Sequence, residues 1–224
     1  MKYEFVKEGI FESRPNRFIA YVALEGERVV CHVKNTGRCR ELLVPGATVY
    51  LARGSNPQRK TAWDLIAVKK GDRLINMDSQ APNAVVAEAI PRLFPDAILV
   101  RAESIFGESR FDFYIETAER RIFLEVKGVT LEDEGVVRFP DAPTERGVKH
   151  LRELSRCVEA GYDAYVLFVI QMEGVSYLTP NDGTHQAFGD ALREAAGQGV
   201  RVLAYDCVVS ADEMRLGNPV EVRL

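Results

Sequence analysis

Asp112, Glu125 and Lys127 are the residues of this chain whose types and spacing could do chemistry. They lie in Arg110-Phe-Asp-Phe-Tyr-Ile-Glu116 and Ile122-Phe-Leu-Glu-Val-Lys-Gly128, two stretches of strand-like alternation separated by a short gap. Folded as a hairpin about Ala118-Glu119, they set Asp112 opposite Glu125 and Arg110 opposite Lys127. The reverse face then gathers Phe111, Phe113 and Ile115 against Val126, Leu124 and Ile122, because side chains alternate along a strand. Two carboxylates directly opposite each other repel. A hard divalent cation between them, Mg²⁺ or Mn²⁺, reverses that sign. A lysine two residues on is placed to orient or polarise an attacking water. These are the parts of metal-assisted phosphodiester hydrolysis. The competing reading is a solvated sheet face with an ordinary ion pair, which is worth little energy.

Other candidates depend on the elements that carry them. Ala84–Leu93 reads as a helix ended before Pro95, and Glu88 on it is a candidate third acidic ligand. Ile98–Ala102, Phe111–Glu116 and Ile122–Val126 read as three strands. Thr144–Ala160 is an amphipathic helix with the stripe Val148, Leu151, Leu154 and Val158, and Gly161 suits its C-terminal cap. Arg146 and Lys149, on the basic side of that helix, are candidate phosphate contacts. Asp141 or Thr144 is expected to cap it. His150, beside the stripe, reads as a structural histidine, although a catalytic role stays open. Tyr165–Ile170 is a buried-type strand, His185–Ala196 a helix and Val200–Tyr205 a strand. Residues from about 212 read as a short terminal strand or tail. Gln171, at the end of a buried strand, is expected to bond backbone, with the cleft as the alternative.

The first third reads as all β. Arg17–Leu24, Val29–Val33, Ala47–Ala52, Trp63–Val68 and Leu74–Met77 are short apolar-rich runs set off by Gly and Pro turns, the pattern of a small OB-type barrel. Such barrels bind single strands through aromatic and basic groups. Arg38 and Arg40 are the candidate nucleic-acid contacts, with Arg53, Tyr21, Tyr50 and Trp63 available beside them; each aromatic is first a core residue. The expected division is a barrel over 1–80 and an α/β domain over 81–224.

Charge supports the division. Residues 1–80 carry 14 Lys and Arg against 9 Asp and Glu, whereas the remainder carries 15 against 24. A basic module beside an acidic one suits a nucleic-acid-binding part and a metal-using part, and equally two ordinary surfaces. Cys31, Cys39, Cys157 and Cys207 match no zinc spacing and are expected as buried thiols. No run is apolar enough to span a bilayer and no leader is legible at the N-terminus, so the expected location is the cytoplasm, away from membranes. There is no Gly-x-Ser-x-Gly elbow for serine catalysis and no glycine-rich phosphate loop.

The order helix, three strands, helix, strand, helix, strand is that of the restriction-endonuclease-like folds, whose motif Asp…(Asp/Glu)-x-Lys falls on the second and third strands. Ser109-Arg-Phe-Asp-Phe113, Leu124-Glu-Val-Lys-Gly-Val-Thr-Leu131 and Phe139-Pro-Asp-Ala-Pro-Thr-Glu-Arg-Gly-Val-Lys-His-Leu-Arg-Glu-Leu154 resemble the sugar fermentation stimulation protein (SfsA) family over nearly the whole chain. Asn35-Thr-Gly37 with Pro45-Gly46 resembles its N-terminal motif. The resemblance implies an OB-like barrel followed by a nuclease-like α/β domain with a central mixed sheet, and an association with DNA. Asn181–His185 is looser than the family's stretch there, so Asp182 is not expected as a ligand.

Two functions follow as expectations. One is a nucleic-acid-binding protein with a Mg²⁺- or Mn²⁺-dependent nuclease site, in which Asp112, Glu125 and Glu88 hold the metal and DNA is the expected partner. The other is a non-catalytic DNA-binding regulator of sugar metabolism genes. A carbohydrate-directed activity rests on the family name alone.

Overall fold

The computed structural model describes residues 1–35, 37–54 and 58–224. Thr36, at the centre of the Asn-Thr-Gly motif, lies outside the described residues.

Six strands come first: β1 (Val6–Asn16), β2 (Ile19–Leu24), β3 (Glu27–Val33), β4 (Thr48–Arg53), β5 (Trp63–Lys70) and β6 (Arg73–Asn76). They form one sheet in the order β3-β2-β1-β4-β5-β6, and a parallel pairing of β3 with β5 closes the first five into a barrel. The alternating burial of β2 shows why: Ala20, Val22 and Leu24 point inward while Ile19, Tyr21 and Ala23 are only partly covered. The sequence reading lacked β1. Its residues, VKEGIFESRPN, bury only Gly9 and Phe11, so the pattern is too polar to announce a strand.

The second part opens with α1 (Ala81–Leu93), three residues earlier than expected because Pro82 fits the first turn, where no amide hydrogen is needed. Then come β7 (Leu99–Phe106), β8 (Ser109–Glu116), β9 (Arg121–Val129), β10 (Glu132–Asp133), β11 (Val136–Phe139), α2 (Glu145–Glu159) and β12 (Asp163–Ile170). They are followed by β13 (Tyr177–Pro180), α3 (Asp182–Gly197), β14 (Arg201–Val209), β15 (Met214–Pro219) and β16 (Glu221–Val222).

The main sheet runs β15-β14-β12-β9-β8-β7 and is mixed: β9, β12 and β14 are parallel, while β7, β8 and β15 run antiparallel to their neighbours. A smaller sheet, β10-β11-β13-β16, sits beside it.

Helices cover both faces of the main sheet. On one side Val85, Val86 and Ile90 of α1 pack on Ile115, Ile122, Leu124 and Val169. On the other, Leu151 and Leu154 of α2 and Phe188 and Leu192 of α3 pack on Phe123, Val166 and Phe168. Each such large apolar side chain contributes about 1.5–3 kcal/mol on full burial. The Thr144 hydroxyl caps α2 by accepting from the Gly147 amide at 3.1 Å, and Gly161 ends it at φ +83°.

Barrel and sheet are joined through polar contacts. Gln171, just past β12, accepts the Asn76 amide on its backbone carbonyl at 2.9 Å. Its side-chain Nε2 donates to Asn76 O, Asn76 Oδ1 and Asp78 O, each at 3.1 Å. Glu132 lies nearby on β10, 5% exposed and ringed by Lys70 and Arg73 of the barrel side. The four cysteines are buried and unpaired, and burial pushes each thiol up to about 12. Among the described residues no helix is long and apolar enough to cross a membrane.

Candidate active site

β8 and β9 pair in the expected register, from Phe113 with Leu124 to Glu116 with Arg121. Thr117 turns the chain between them, its hydroxyl accepting from the amides of Glu119 and Arg120. Past Phe113 the ladder stops. Asp112 continues the register with its side chain: Oδ2 accepts the Val126 amide at 2.7 Å. Oδ1 accepts from the Asn83 side chain of α1, also at 2.7 Å.

The same break corrects one expectation. Phe111 does not share the apolar face of Phe113 and Ile115; it turns to the α2 side and meets Phe123 and His150 at ring-centroid distances of 5.5 and 5.8 Å. Glu103, between the β7 partners of Phe113 and Phe111, sits at φ +52°, so regular alternation is lost there. Arg110 is also displaced from the site, pairing with Ile105 in β7 and lying 3.5 Å from Glu103.

Glu125 is only 4% exposed. Its Oε1 accepts from Lys127 Nζ at 2.6 Å and from His150 Nδ1 at 2.5 Å. Oε2 is buried and has no hydrogen-bond partner. His150 is 5% exposed, and its other nitrogen, Nε2, accepts from Arg146 Nε at 3.3 Å. That contact fixes the proton on Nδ1, so the ring donates to Glu125 and holds the carboxylate in one orientation.

Electrostatics separate the two carboxyls. Burial, then the charge of Glu125, pushes Asp112 above the usual carboxylate range, against the opposing pull of the Val126 amide, Asn83 and Lys127. Burial also raises Glu125, but hydrogen bonds from His150 and Lys127, together with the lysine's charge, overcome it and leave Glu125 below its ordinary value.

These residues suit a hard cation. Asp112 and Glu125 are oxygen donors of the right type, and the bare Oε2 is a buried acceptor that lacks a donor. Among the described residues no group of three or more His, Cys, Asp or Glu surrounds such a position. A cation here would be held by two protein carboxylates and would keep much of its water, as Mg²⁺ does.

Glu88 is not part of the cluster. Its Oε2 pairs with the ammonium of Met1 at 2.6 Å, on the exposed side of α1. The α1 residue at the site is Asn83, which sequence reasoning missed. Five residues separate the two, about 140° around a helix, so they cannot share a face. Lys149 is an exposed partner of Glu108 at 3.1 Å. Arg146 is exposed and faces His150 with its Nε. Asp182, set aside from the sequence, pairs with Arg193 at 2.5 Å. Arg38 and Arg40 are exposed on the barrel and pair with no carboxylate among the described residues.

A closed OB barrel joined to a helix-flanked mixed sheet, with an acid pair and a lysine on adjoining strands, defines a two-part protein of OB and restriction-endonuclease-like build. The chain matches the SfsA N-terminal OB domain over residues 13–77 and the sugar fermentation stimulation protein RE domain over residues 80–213. It belongs to the sugar fermentation stimulation protein family.

A sugar fermentation stimulation protein homolog of Desulfitobacterium hafniense (strain Y51) is 60% identical over 225 residues, covering 100% of this chain and 99% of the relative. One from Clostridium beijerinckii is 56% identical over 226 residues and covers 100% of both chains. The solved structure of Pyrococcus furiosus SfsA in complex with Ca²⁺ superposes with a TM-score of 0.90 at 25% identity, covering 100% of this chain and 98% of that one.

Proposed function

We propose that this protein binds nucleic acid and cleaves phosphodiester bonds with a divalent cation held by Asp112 and Glu125. The observation that carries the reading is the asymmetry of Glu125: two donors crowd Oε1, while Oε2 is buried and has no partner, and the charge of Glu125 reaches the Asp112 carboxyl. That arrangement is costly for a fold and useful for a cation. The related Pyrococcus furiosus protein has been solved with Ca²⁺, an ion of the same hard, oxygen-seeking class.

Bound Mg²⁺ or Mn²⁺ supplies Lewis acidity toward a phosphodiester. The chain's own residues do the rest. The Val126 amide and Asn83 hold Asp112 in place. His150 holds Glu125, and Arg146 fixes the tautomer of His150. Lys127, 15% exposed at its side chain, keeps its ammonium beside the cluster, where it stabilises charge developing on the phosphate oxygens or orients the attacking water. Nucleic acid is the expected partner because the barrel side carries the positive charge and exposed arginines.

One observation favours a second reading, a DNA-binding regulator without turnover: the acid cluster has no third ligand among the described residues. A single assay separates the two. Purified protein is incubated with single- and double-stranded DNA and RNA, with Mn²⁺ or with chelator. Metal-dependent cleavage that Asp112→Asn abolishes supports the enzyme. Binding without cleavage of any substrate leaves the regulator.

A further inference from the structure

Two cavities on this protein share Gly37, Ala142 and Pro143. The first, about 690 Å³, lies on the barrel rim among Arg14, Asn16, Arg17, Arg38 and Arg40. The second, about 310 Å³, lies at the ends of β9 and β12, among Ser79, Gly128, Arg138, Thr144 and Gln171. It begins one residue past Lys127 and at the cap of α2, the helix whose His150 holds Glu125. Its Gly128 is tightly placed: a Cβ there would fall 2.8 Å from Pro82 Cγ, and Pro82 adjoins Asn83, the partner of Asp112. The joined cavities therefore run from the barrel rim to the ends of β9 and β12, and none of Asp112, Glu125 and Lys127 lines either of them.

The arginines along this path divide by role. Arg14 is structural: NH1 donates to the carbonyls of Gly37 and Arg38 at 2.9 Å each, and NH2 to those of Arg17 and Asn35 at 2.7 Å each. Arg17, Arg38 and Arg40 are exposed, Arg138 is half-buried, and none of the four pairs with a carboxylate among the described residues. Asp141 is the acid on the lining. It stands at the waist, where a Cβ on Gly37 would fall 2.5 Å from its Oδ2. Unpaired arginines along a narrow path suit the backbone of a single polynucleotide strand. A duplex, with two backbones and stacked pairs, is far bulkier than these cavities.

We infer that the joined cavities seat one polynucleotide strand. Its phosphates lie on Arg17, Arg38 and Arg40, and Arg138 holds the nucleotide at the β9 end. Asp141 repels the backbone at the waist and turns it toward the arginine side. The inference rests on the proposed function only in taking nucleic acid as the ligand; it needs no cleavage.

The test is fluorescence anisotropy with labelled oligo-dT, oligo-U and a duplex of equal length, at low salt and without divalent metal. Parent protein should bind one or both single strands at least about tenfold more tightly than the duplex. Arg38→Ala/Arg40→Ala and, separately, Arg138→Gln should weaken strand binding, each removed phosphate contact lowering the log–log salt slope by about 0.7. Asp141→Asn should tighten it. Circular dichroism and melting temperature are read alongside, and all these variants should stay folded. Duplex binding equal to strand binding overturns the inference. So does parent-like strand binding by the folded arginine variants. Strand binding without any cleavage by the parent upholds the groove and removes the nuclease reading.

Discussion

Glu125 and Glu132 lie seven positions apart, one at the end of the acid pair and one at the seam between barrel and sheet. Both are buried, at 4% and 5% exposure. Glu132 has both oxygens paired. Oε2 meets Lys70 at 2.8 Å, while Oε1 meets Arg73 at 2.5 Å and the Gly135 amide at 2.6 Å. Burial raises its carboxyl, but these partners outweigh that and bring it down to about 2. Glu125 spends both donors on one oxygen and leaves the other bare. A buried carboxylate that serves the fold has both oxygens answered. One that serves a ligand keeps a direction open and accepts the cost.

The largest expected effect breaks the contrast at its functional end. Lys127→Met should cut metal-dependent cleavage by about 100- to 1,000-fold while strand affinity changes little, because a contact made in the transition state is lost. Single-turnover rates beside binding constants measure this; parent-like cleavage by the variant would remove Lys127 from the mechanism.

Breaking the structural end should do the reverse. Glu132→Gln leaves Lys70 and Arg73 short of a counter-charge, so unfolding free energy should fall by about 2–4 kcal/mol. Calorimetric Mn²⁺ binding should be unchanged. The pH dependence has a definite sign. A carboxyl lowered from 4.5 to about 2 on folding stabilises the protein when ionised. Its contribution is full above about pH 4.5 and is lost as pH falls toward about 2, so the stability gap between parent and variant should close over that window.

His150 sharpens the comparison. If it holds Glu125 so that Oε2 stays free, His150→Ala should weaken Mn²⁺ binding by about 10- to 100-fold. His150→Asn, whose amide can replace Nδ1–H, should recover part of the loss. Equal recovery of melting temperature without recovery of metal affinity would make the histidine structural only.

The smallest effect concerns Asp112. Its carboxyl is raised on folding, so the ionised form works against the fold, and that penalty is relieved as pH falls. Asp112→Asn should therefore be as stable as the parent at neutral pH, or more stable by up to about 1 kcal/mol, although its metal binding is lost. Asn83 can turn its amide to meet the new side chain. Thermal melts at neutral and acid pH check this, the advantage of the variant shrinking in acid.

The sequence made part of this legible and hid the rest for physical reasons. The period-two pattern of β8 and β9 was strong enough to give their register, and the apolar stripe of α2 marked its buried side. Phe111 was misplaced because the alternation fails where Asp112 takes the Val126 amide, a break no pattern of residue types records. Glu88 looked right by type, but helix phase turns it away from the face that Asn83 presents. His150 could be placed beside the core from its spacing. That it meets Glu125 depends on how α2 crosses β9, which one-dimensional periodicity does not contain. β1 stayed hidden because a mostly exposed strand needs only two inward residues.

The four carbonyls gathered on Arg14 also bear on how a ligand is met. A single guanidinium holds backbone at Arg17, Asn35, Gly37 and Arg38 before anything arrives, so two of the arginines that would receive a phosphate chain already stand on ordered backbone. Association then forfeits little additional chain entropy at the rim, and recognition comes close to rigid docking. With alanine at position 14, the same encounter would require the rim to order itself around its ligand, with slower arrival and a larger heat-capacity change.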